Sequence, residues 1–128
     1  MEINEISAIV IDECIAIHRE LGPGLFENVY EAVLAGRLEA RGLTVARQLP
    51  VPVKFDGQVF DPAFRLDLLV EGALVIEVKA VERLTQTHIR QLLTYLRLLK
   101  QPIGLLLNFN HSTMKEGIRR VANEYNTN

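Results

Sequence analysis

Apolar and polar residues alternate in the middle of the chain, a pattern typical of a β-hairpin. Every second side chain is apolar from Phe64 to Val70, and the same period of two continues from Leu74 to Val78. The intervening residues 71–73 predict a tight turn that pairs Val70 with Leu74, because a slip of one residue would mix charges into the apolar face. The predicted apolar face consists of Phe64, Leu66, Leu68, Val70, Leu74, Ile76 and Val78.

The same register places two carboxylates opposite each other. Asp67 faces Glu77 with their Cβ atoms roughly 5 Å apart, an arrangement that destabilises a sheet unless a cation lies between the carboxylates. Mg²⁺ takes one or two carboxylates and keeps several waters. Lys79 points to the same side, where an ammonium would hold an attacking water or stabilise charge on a phosphoryl oxygen. On the hairpin alone, a solvated face with weak ion pairs, including Arg65 opposite Lys79, is the favoured interpretation.

Other hydrophobic patterns predict the elements around this hairpin. Apolar residues that recur every three or four positions predict amphipathic helices. The apolar run at 103–109 predicts a buried strand, parallel to a neighbour because a helix crosses over before it. Thr113 with Glu116 resembles a capping box and predicts a final helix. The predicted elements are helices at about 6–21, 25–41, 86–100 and 113–123, with strands at 44–49, 51–55, 59–60, 64–70, 74–79 and 103–109. The expected fold is α/β (α+β), with helices flanking a mixed β-sheet.

Composition indicates a single globular domain. The 128 residues are one domain's worth, and no apolar run reaches the ~18 residues that span a bilayer. The N-terminus lacks the basic start of a secretory signal. Cys14, the only cysteine, lies on the apolar side of the first predicted helix and is expected in the hydrophobic core. We therefore expect a cytoplasmic protein. A net charge of −2 excludes a general electrostatic binder of nucleic acid, so any basic surface must be local.

Polar residues on two predicted helices have two interpretations each. Glu27 lies in a first helical turn, where the helix dipole alone favours a carboxylate. His88, Gln91 and Tyr95 follow one another at i, i+3 and i+7 on the third helix. Such a stripe is usually a solvated flank, but directly after the hairpin it could instead line the same cleft.

Several other chemistries are excluded by the motifs that the sequence lacks. The two serines, Ser7 and Ser112, do not lie in a nucleophile elbow, and the glycines at 22 and 24 lack the lysine and hydroxyl residue of a phosphate-binding loop. No cysteine and histidine spacing of a zinc site is present. Carboxylates with a lysine remain as the chemistry that the chain offers, which suits metal-assisted hydrolysis.

Three motifs together resemble a known superfamily. Asp67 followed by Glu77-Val78-Lys79 is the D…ExK signature of the PD-(D/E)XK nucleases, which share the restriction-endonuclease-like fold. Residues 24–30, GLFENVY, resemble the G-x-x-E-x-x-Y motif that names the GxxExxY family of that superfamily. Residues 91–95, QLLTY, are similar to the Q-x-x-x-Y motif of RecB-type exonucleases. The resemblance extends over nearly the whole chain.

The resemblance implies a fold, a cofactor and a function. It implies an α-β-β-β-α-β core around the mixed sheet and a nuclease that cleaves nucleic acid, DNA more than RNA, with Mg²⁺ or Mn²⁺. Lys79 would orient or activate the attacking water, while Gln91 and Tyr95 would position the water or the nucleic-acid backbone. The implied metal ligands are Glu27, Asp67 and Glu77. The alternative is a catalytically silent module that binds nucleic acid or a protein partner. A homodimer is compatible with the small size, but no interface is predicted.

Overall fold

One mixed β-sheet with helices on both faces forms the fold. The computed structural model describes residues 1–124. Its elements are α1 Ile3–Leu21, α2 Glu27–Ala40, β1 Val45–Phe55, β2 Gln58–Val70, β3 Leu74–Lys79, α3 Gln86–Leu99, β4 Ile103–Asn108, α4 Met114–Gly117 and β5 Ile118–Ala122. The strands lie in the order β1-β2-β3-β4-β5; β3 and β4 are parallel, and the other neighbours are antiparallel. The predicted mixed sheet and its crossover are confirmed, and the series from α2 to β4 has the α-β-β-β-α-β order.

The two faces of the sheet carry separate hydrophobic cores. Side chains of α1 and α2 pack on one face, against Leu74, Ile76 and Val78 of β3. Leu92 of α3 packs on the other face, against residues of β3 and β4. Cys14 is fully buried in the first core, as predicted, and burial raises the pKa of its thiol. Within residues 1–124, no helix is both long and apolar enough to cross a membrane.

Helix α3 begins directly after its N-cap residue, Thr85. The side-chain oxygen of Thr85 accepts a hydrogen bond from the backbone N–H of His88, and the N–H of Thr85 donates to Nδ1 of His88 at 3.0 Å. Lys100 ends the helix in the left-handed conformation. The third helix is therefore confirmed, and His88 of the polar stripe is a capping residue.

The predicted final helix at 113–123 is wrong. Only one turn, α4, is helical, and the chain then continues as β5 along β4. A Cβ atom at Gly117 would overlap the carbonyl oxygen of Asn108, so only glycine allows the two backbones to approach this closely where α4 ends and β5 begins. The hydroxyl of Thr113 does donate to Glu116 at 2.8 Å, but it caps no backbone group. β5 covers an edge of β4 that would otherwise be unpaired.

The alternation in β2 breaks at Asp67. Leu68 packs in the core beneath α1 and α2, whereas Leu66 and Phe64 belong to the core beneath α3. The prediction that these three share one face is therefore wrong. The break coincides with a backbone irregularity that the pattern does not reveal: Gln48, which lies between the paired positions opposite Leu68 and Leu66, has a φ of 48°.

Two segments of the β1–β2 hairpin also differ from the prediction. The strands expected at 44–49 and 51–55 form one continuous strand, β1, at the edge of the sheet. The residues expected to be extended at 59–60 belong to β2. The two strands are joined by a two-residue turn of a type that aspartate followed by glycine favours: Asp56 and Gly57 both have positive φ and connect the pair Phe55 and Gln58.

Candidate active site

The strands β2 and β3 separate where the two opposed acids lie. Their ladder contains the predicted pair of Val70 with Leu74, but it ends with Leu68 and Ile76, before the acids and before Arg65. Beyond that point side chains replace the ladder. The backbone N–H of Asp67 donates to Oε2 of Glu77 at 2.9 Å, and the N–H of residue 78 donates to Oδ2 of Asp67 at 2.8 Å. The structure thus brings the two carboxylates together in the gap between the strands.

Burial makes this acid pair electrostatically unfavourable when both groups are charged. Glu77 is only 4% exposed, and burial together with the charge of Asp67 raises its pKa to about 8. Burial also raises the pKa of Asp67, although the hydrogen bond from Val78 and the charge of Lys79 oppose the shift. A buried pair of this kind attracts a cation.

Lys79 lies beside both acids at the end of β3. Its charge lowers the pKa of Asp67 and of Glu77, which places the ammonium within electrostatic range of each. The carbonyl oxygen of Lys79 accepts a hydrogen bond from the N–H of Phe109 at 2.9 Å, which fixes the backbone against the end of β4. The structure therefore places Lys79 on the predicted side of the hairpin.

Glu27 connects the start of α2 to the same end of the sheet. Its Oε2 accepts a hydrogen bond at 3.0 Å from the N–H of Ala80, the residue after Lys79. Its negative charge contributes to the raised pKa of Asp67. Glu27 is exposed, so it stands at the rim of the site, whereas the other two acids lie inside it.

The structure also contains a second layer behind the acids, which the sequence does not predict. Glu31 is buried and forms an ion pair with Arg47 at 3.1 Å. The amide nitrogen of Gln48 donates to Glu31 at 2.6 Å and also lies 3.4 Å from Oδ1 of Asp67. One signal for Glu31 exists in the sequence, because it lies four residues after Glu27 and hence on the same side of α2. Gln48 has no such signal, since its left-handed backbone is not apparent from the pattern.

Tyr95 reaches the site from α3. Its ring stacks on Phe64, with centroids 4.2 Å apart. Burial and the charges of Glu77 and Asp67 raise the pKa of its phenol, so the hydroxyl lies within electrostatic range of both acids. Gln91 is exposed one turn earlier on α3, and no hydrogen bond of its side chain is found within residues 1–124. The structure thus associates Tyr95, but not Gln91, with the acid pair.

The tyrosine of the G-x-x-E-x-x-Y motif is a structural residue. Tyr30 is fully buried and stacks on Phe109 with centroids 4.4 Å apart. Its hydroxyl donates to the carbonyl oxygen of Gly22 at 2.6 Å and accepts a hydrogen bond from the N–H of Leu25 at 3.1 Å. These contacts fix the turn between α1 and α2, and hence the position of Glu27.

We expect Tyr30→Phe to lower the free energy of unfolding by about 1–2 kcal/mol, because two backbone groups lose their partner while the ring is kept. Thermal denaturation would record this as a fall in melting temperature of roughly 5–10 °C. Tyr95→Phe is the matched control, since no hydrogen bond of its hydroxyl is found within residues 1–124. A loss of equal size in the control would contradict the structural role of Tyr30.

The acid pair fits a hard divalent cation in its donor chemistry. Carboxylate oxygens are the ligands that Mg²⁺ prefers, and it takes one or two of them together with waters. Asp67 and Glu77 supply two carboxylates, and each accepts its backbone hydrogen bond through a single oxygen, which leaves acceptor capacity for a cation. Among residues 1–124, no group of three or more acids, histidines or cysteines is arranged to hold a metal. Direct ligation by Glu27 as well therefore stays a prediction.

Comparison with known proteins gives one match. A family model described as the PD-(D/E)XK nuclease superfamily matches residues 4–121, which include every candidate site residue. No curated protein and no solved structure matches the chain.

Proposed function

Because this chain belongs to the PD-(D/E)XK nuclease superfamily, we propose that it is a metal-dependent nuclease that hydrolyses phosphodiester bonds of nucleic acid, with DNA favoured over RNA. The observation that carries the proposal is the buried pair of Asp67 and Glu77 with Lys79 beside it. Within the superfamily, residues 24–30 favour the GxxExxY family. A bound divalent cation would explain why the chain carries two buried acids that otherwise repel each other.

The proposed roles follow from the position of each side chain. Asp67 and Glu77 hold Mg²⁺ or Mn²⁺, and Glu27 at the rim is the third acid of the set. The bound ion would polarise the phosphoryl group and lower the pKa of a water. Lys79 donates hydrogen bonds that orient the attacking water and offset charge on a phosphoryl oxygen.

Residues of α3 would act on the substrate instead of the metal. The ring of Tyr95 is fixed by its stacking on Phe64, so its hydroxyl offers a defined hydrogen-bond donor beside the acids. Gln91, exposed one turn earlier, would contact the nucleic-acid backbone as the strand leaves the site. The buried pair of Glu31 and Arg47, through Gln48, would restrain the carboxylate of Asp67.

A second function is favoured by one specific observation. Asp67, Glu77 and Glu27 each accept a hydrogen bond from a backbone N–H, so contacts within the protein help to position all three acids. A catalytically silent module that binds nucleic acid or a protein partner would keep these acids for structural reasons. Divalent-ion binding distinguishes the two functions, because only the nuclease requires it.

We expect Lys79→Met to reduce metal-dependent cleavage by about 100-fold or more, because the attacking water loses its orienting donor. Metal binding should be retained or tightened, since a cation that repels the metal is removed. Calorimetric titration with Mn²⁺ and cleavage of labelled single- and double-stranded DNA and RNA would measure both effects. Lys54→Met, on the exposed part of β1, is the matched control and should behave as wild type.

Two results would contradict this proposal. Wild-type protein that binds neither Mg²⁺ nor Mn²⁺ at millimolar concentration would favour the silent module. Metal-dependent cleavage that is unchanged in Lys79→Met would remove the lysine from the catalytic machinery, while the assignment of the metal to the acids would still stand.

A further inference from the structure

Apolar side chains are exposed around the entry to α2, immediately beside Glu27. The side chain before Glu27, Phe26, is 83% exposed. Three further apolar side chains around it are more than one-third exposed. We call the group of Leu21, Leu25, Phe26 and Val29 the Phe26 patch. It borders the rim of the candidate active site because Glu27 lies within the same turn of chain.

Helix stability does not explain a phenylalanine at this position. Phe26 is the N-cap residue of α2, and its side chain makes no capping hydrogen bond. Serine, threonine, aspartate and asparagine are preferred there because their side chains satisfy an unpaired N–H group of the first turn. An aromatic ring that neither caps the helix nor packs in the core has its surface available for a ligand.

A basic cavity lies at the same turn between α1 and α2. It measures about 460 Å³ and is formed by α1, the turn at Gly22 and Pro23, and the start of α4. Arg19 and Lys115 line it, and no carboxylate does. Neither cation forms an ion pair within residues 1–124. In a chain with a net charge of −2, such a carboxylate-free basic cavity is a local feature suited to an anion.

The nearest acids do not cancel this charge. Glu20, next to Arg19, is bound by two guanidinium nitrogens of Arg37 at 2.8 and 3.1 Å. Glu116 does not line the cavity, but its carboxylate accepts hydrogen bonds from the hydroxyls of Ser112 and Thr113, which do. It offsets at most one of the two positive charges that line the cavity. The cavity at the turn therefore keeps a basic lining.

We propose that the Phe26 patch and this basic cavity bind an unpaired nucleic-acid strand, with a base stacked on Phe26 and a neighbouring phosphate between Arg19 and Lys115. The proposal rests on the proposed nuclease function and specifies its substrate as single-stranded. Every base of a single strand has a flat face that can stack on an exposed aromatic ring. In a duplex these faces are already covered, because each base stacks on its neighbours. The hydroxyl of Tyr30 donates to the carbonyl oxygen of Gly22 in the cavity wall, and its ring stacks on Phe109, whose N–H donates to the carbonyl oxygen of Lys79. These contacts connect the cavity wall to the end of β3, and the strand would run from the patch past Glu27 towards the acids.

The size of the patch favours a nucleotide over a protein partner. The patch has four exposed apolar side chains, whereas each partner of a typical protein interface contributes ~800 Å² from roughly 20–30 residues. One base and its sugar cover an aromatic ring. The adjacent cations also match a phosphate, which an apolar protein surface would not supply.

Binding measured without cleavage tests the proposal. Fluorescence anisotropy in EDTA would compare a short single strand with the duplex of the same sequence. We expect Phe26→Ala to weaken single-strand binding about tenfold or more and to leave duplex binding unchanged. Phe26→Tyr keeps an aromatic face and should bind as wild type. Phe55→Ala is the matched control, since Phe55 is 68% exposed at the far end of the β1–β2 hairpin.

The phosphate contact has a separate signature. The plot of log affinity against log salt concentration has a slope whose magnitude is about 0.7 for each phosphate of a single strand that the protein neutralises. In the double variant Arg19→Gln with Lys115→Gln, this magnitude should fall by about 0.7 for each phosphate contact that is lost. The single variant Lys54→Gln should leave that slope unchanged. An unchanged slope in the double variant would overturn the role of the basic cavity.

Three outcomes would overturn the role of the Phe26 patch. In the first, Phe26→Ala binds the single strand as tightly as the wild type does. In the second, Phe26→Ala loses equal affinity for the single strand and for the duplex. The third is a dimer in sedimentation analysis that Phe26→Ala converts to a monomer, because the patch would then be an interface between two copies. Each leaves metal-dependent cleavage in place, so failure here is distinct from failure of the proposed function.

Discussion

We expect Asp67→Asn to reduce metal-dependent cleavage by about a thousandfold or more while the fold is retained. The asparagine side chain still has an oxygen to accept the hydrogen bond from the N–H of Val78, which Asp67 accepts at 2.8 Å. What it lacks is the negative charge that holds a divalent cation next to Glu77. The loss should therefore appear in metal affinity and in cleavage without a fall in thermal stability, because the raised pKa of Asp67 means that its charge lowers the stability of the metal-free protein.

Calorimetry with Mn²⁺, cleavage assays and thermal denaturation of the same samples would check this prediction. Asp12→Asn removes a carboxylate from α1, away from the acid pair, and serves as the charge-matched control. Cleavage at the wild-type rate in Asp67→Asn would exclude the acid pair as the metal site. Loss of cleavage together with unfolding would instead show that the hydrogen bond to Val78 needs the charged acceptor, and Asp67→Glu would then separate charge from position.

The features that the sequence predicts correctly are those set by local chemistry. The turn that pairs Val70 with Leu74 follows from alternation within a short stretch of chain, and this register alone opposes Asp67 to Glu77. The third helix begins at Thr85 because a threonine side chain caps its first turn. In each case the residues that determine the structure are close in sequence.

The features that sequence reasoning misses depend on distant contacts. A helix after Thr113 is locally reasonable, but the close approach of Gly117 to Asn108 and the open edge of β4 make the segment a strand. Leu66 changes face beside the backbone irregularity at Gln48, which lies on another strand. Competition between local propensity and tertiary contacts decides these cases, and the tertiary contacts exist only in the folded chain.

The candidate site shows the same division. Asp67, Glu77 and Lys79 belong to one hairpin and are predictable as a group. Glu27 is connected to them by a hydrogen bond from the N–H of Ala80, which lies 53 positions away. Its part in the site could therefore be predicted from the G-x-x-E-x-x-Y motif, but not from the geometry of neighbouring residues. The layer of Glu31, Arg47 and Gln48 has no motif at all, although it contacts Asp67.

We expect the metal-free protein to lose stability as the pH rises from about 5 to about 8, and Glu77→Gln to remove most of that loss. The pKa of Glu77 is raised from an ordinary value of 4.5 to about 8 in the folded chain. Between these values the folded state binds more protons than the unfolded state, so the free energy of unfolding falls with rising pH. The total fall should be on the order of 2–4 kcal/mol.

The glutamine variant is neutral at every pH and can still accept the hydrogen bond from the N–H of Asp67. It should therefore be more stable than the wild type at pH 8 and equally stable near pH 5. A smaller fall in stability with rising pH should remain in the variant, because the raised pKa of Asp67 acts in the same direction. Denaturant unfolding in EDTA across this pH range measures the difference. Glu39→Gln, an exposed change on α2, controls for the loss of one charge.

Metal reverses the order of the two proteins. Mn²⁺ binds the ionised pair of the folded wild type, so saturating metal at pH 8 should raise its free energy of unfolding, whereas Glu77→Gln should gain little. Glu77→Gln is thus expected to be more stable than the wild type without metal and also inactive. This combination is typical of an acid that serves binding at a cost to stability. A wild-type pH slope that persists unchanged in Glu77→Gln would show that Glu77 is not the buried group responsible.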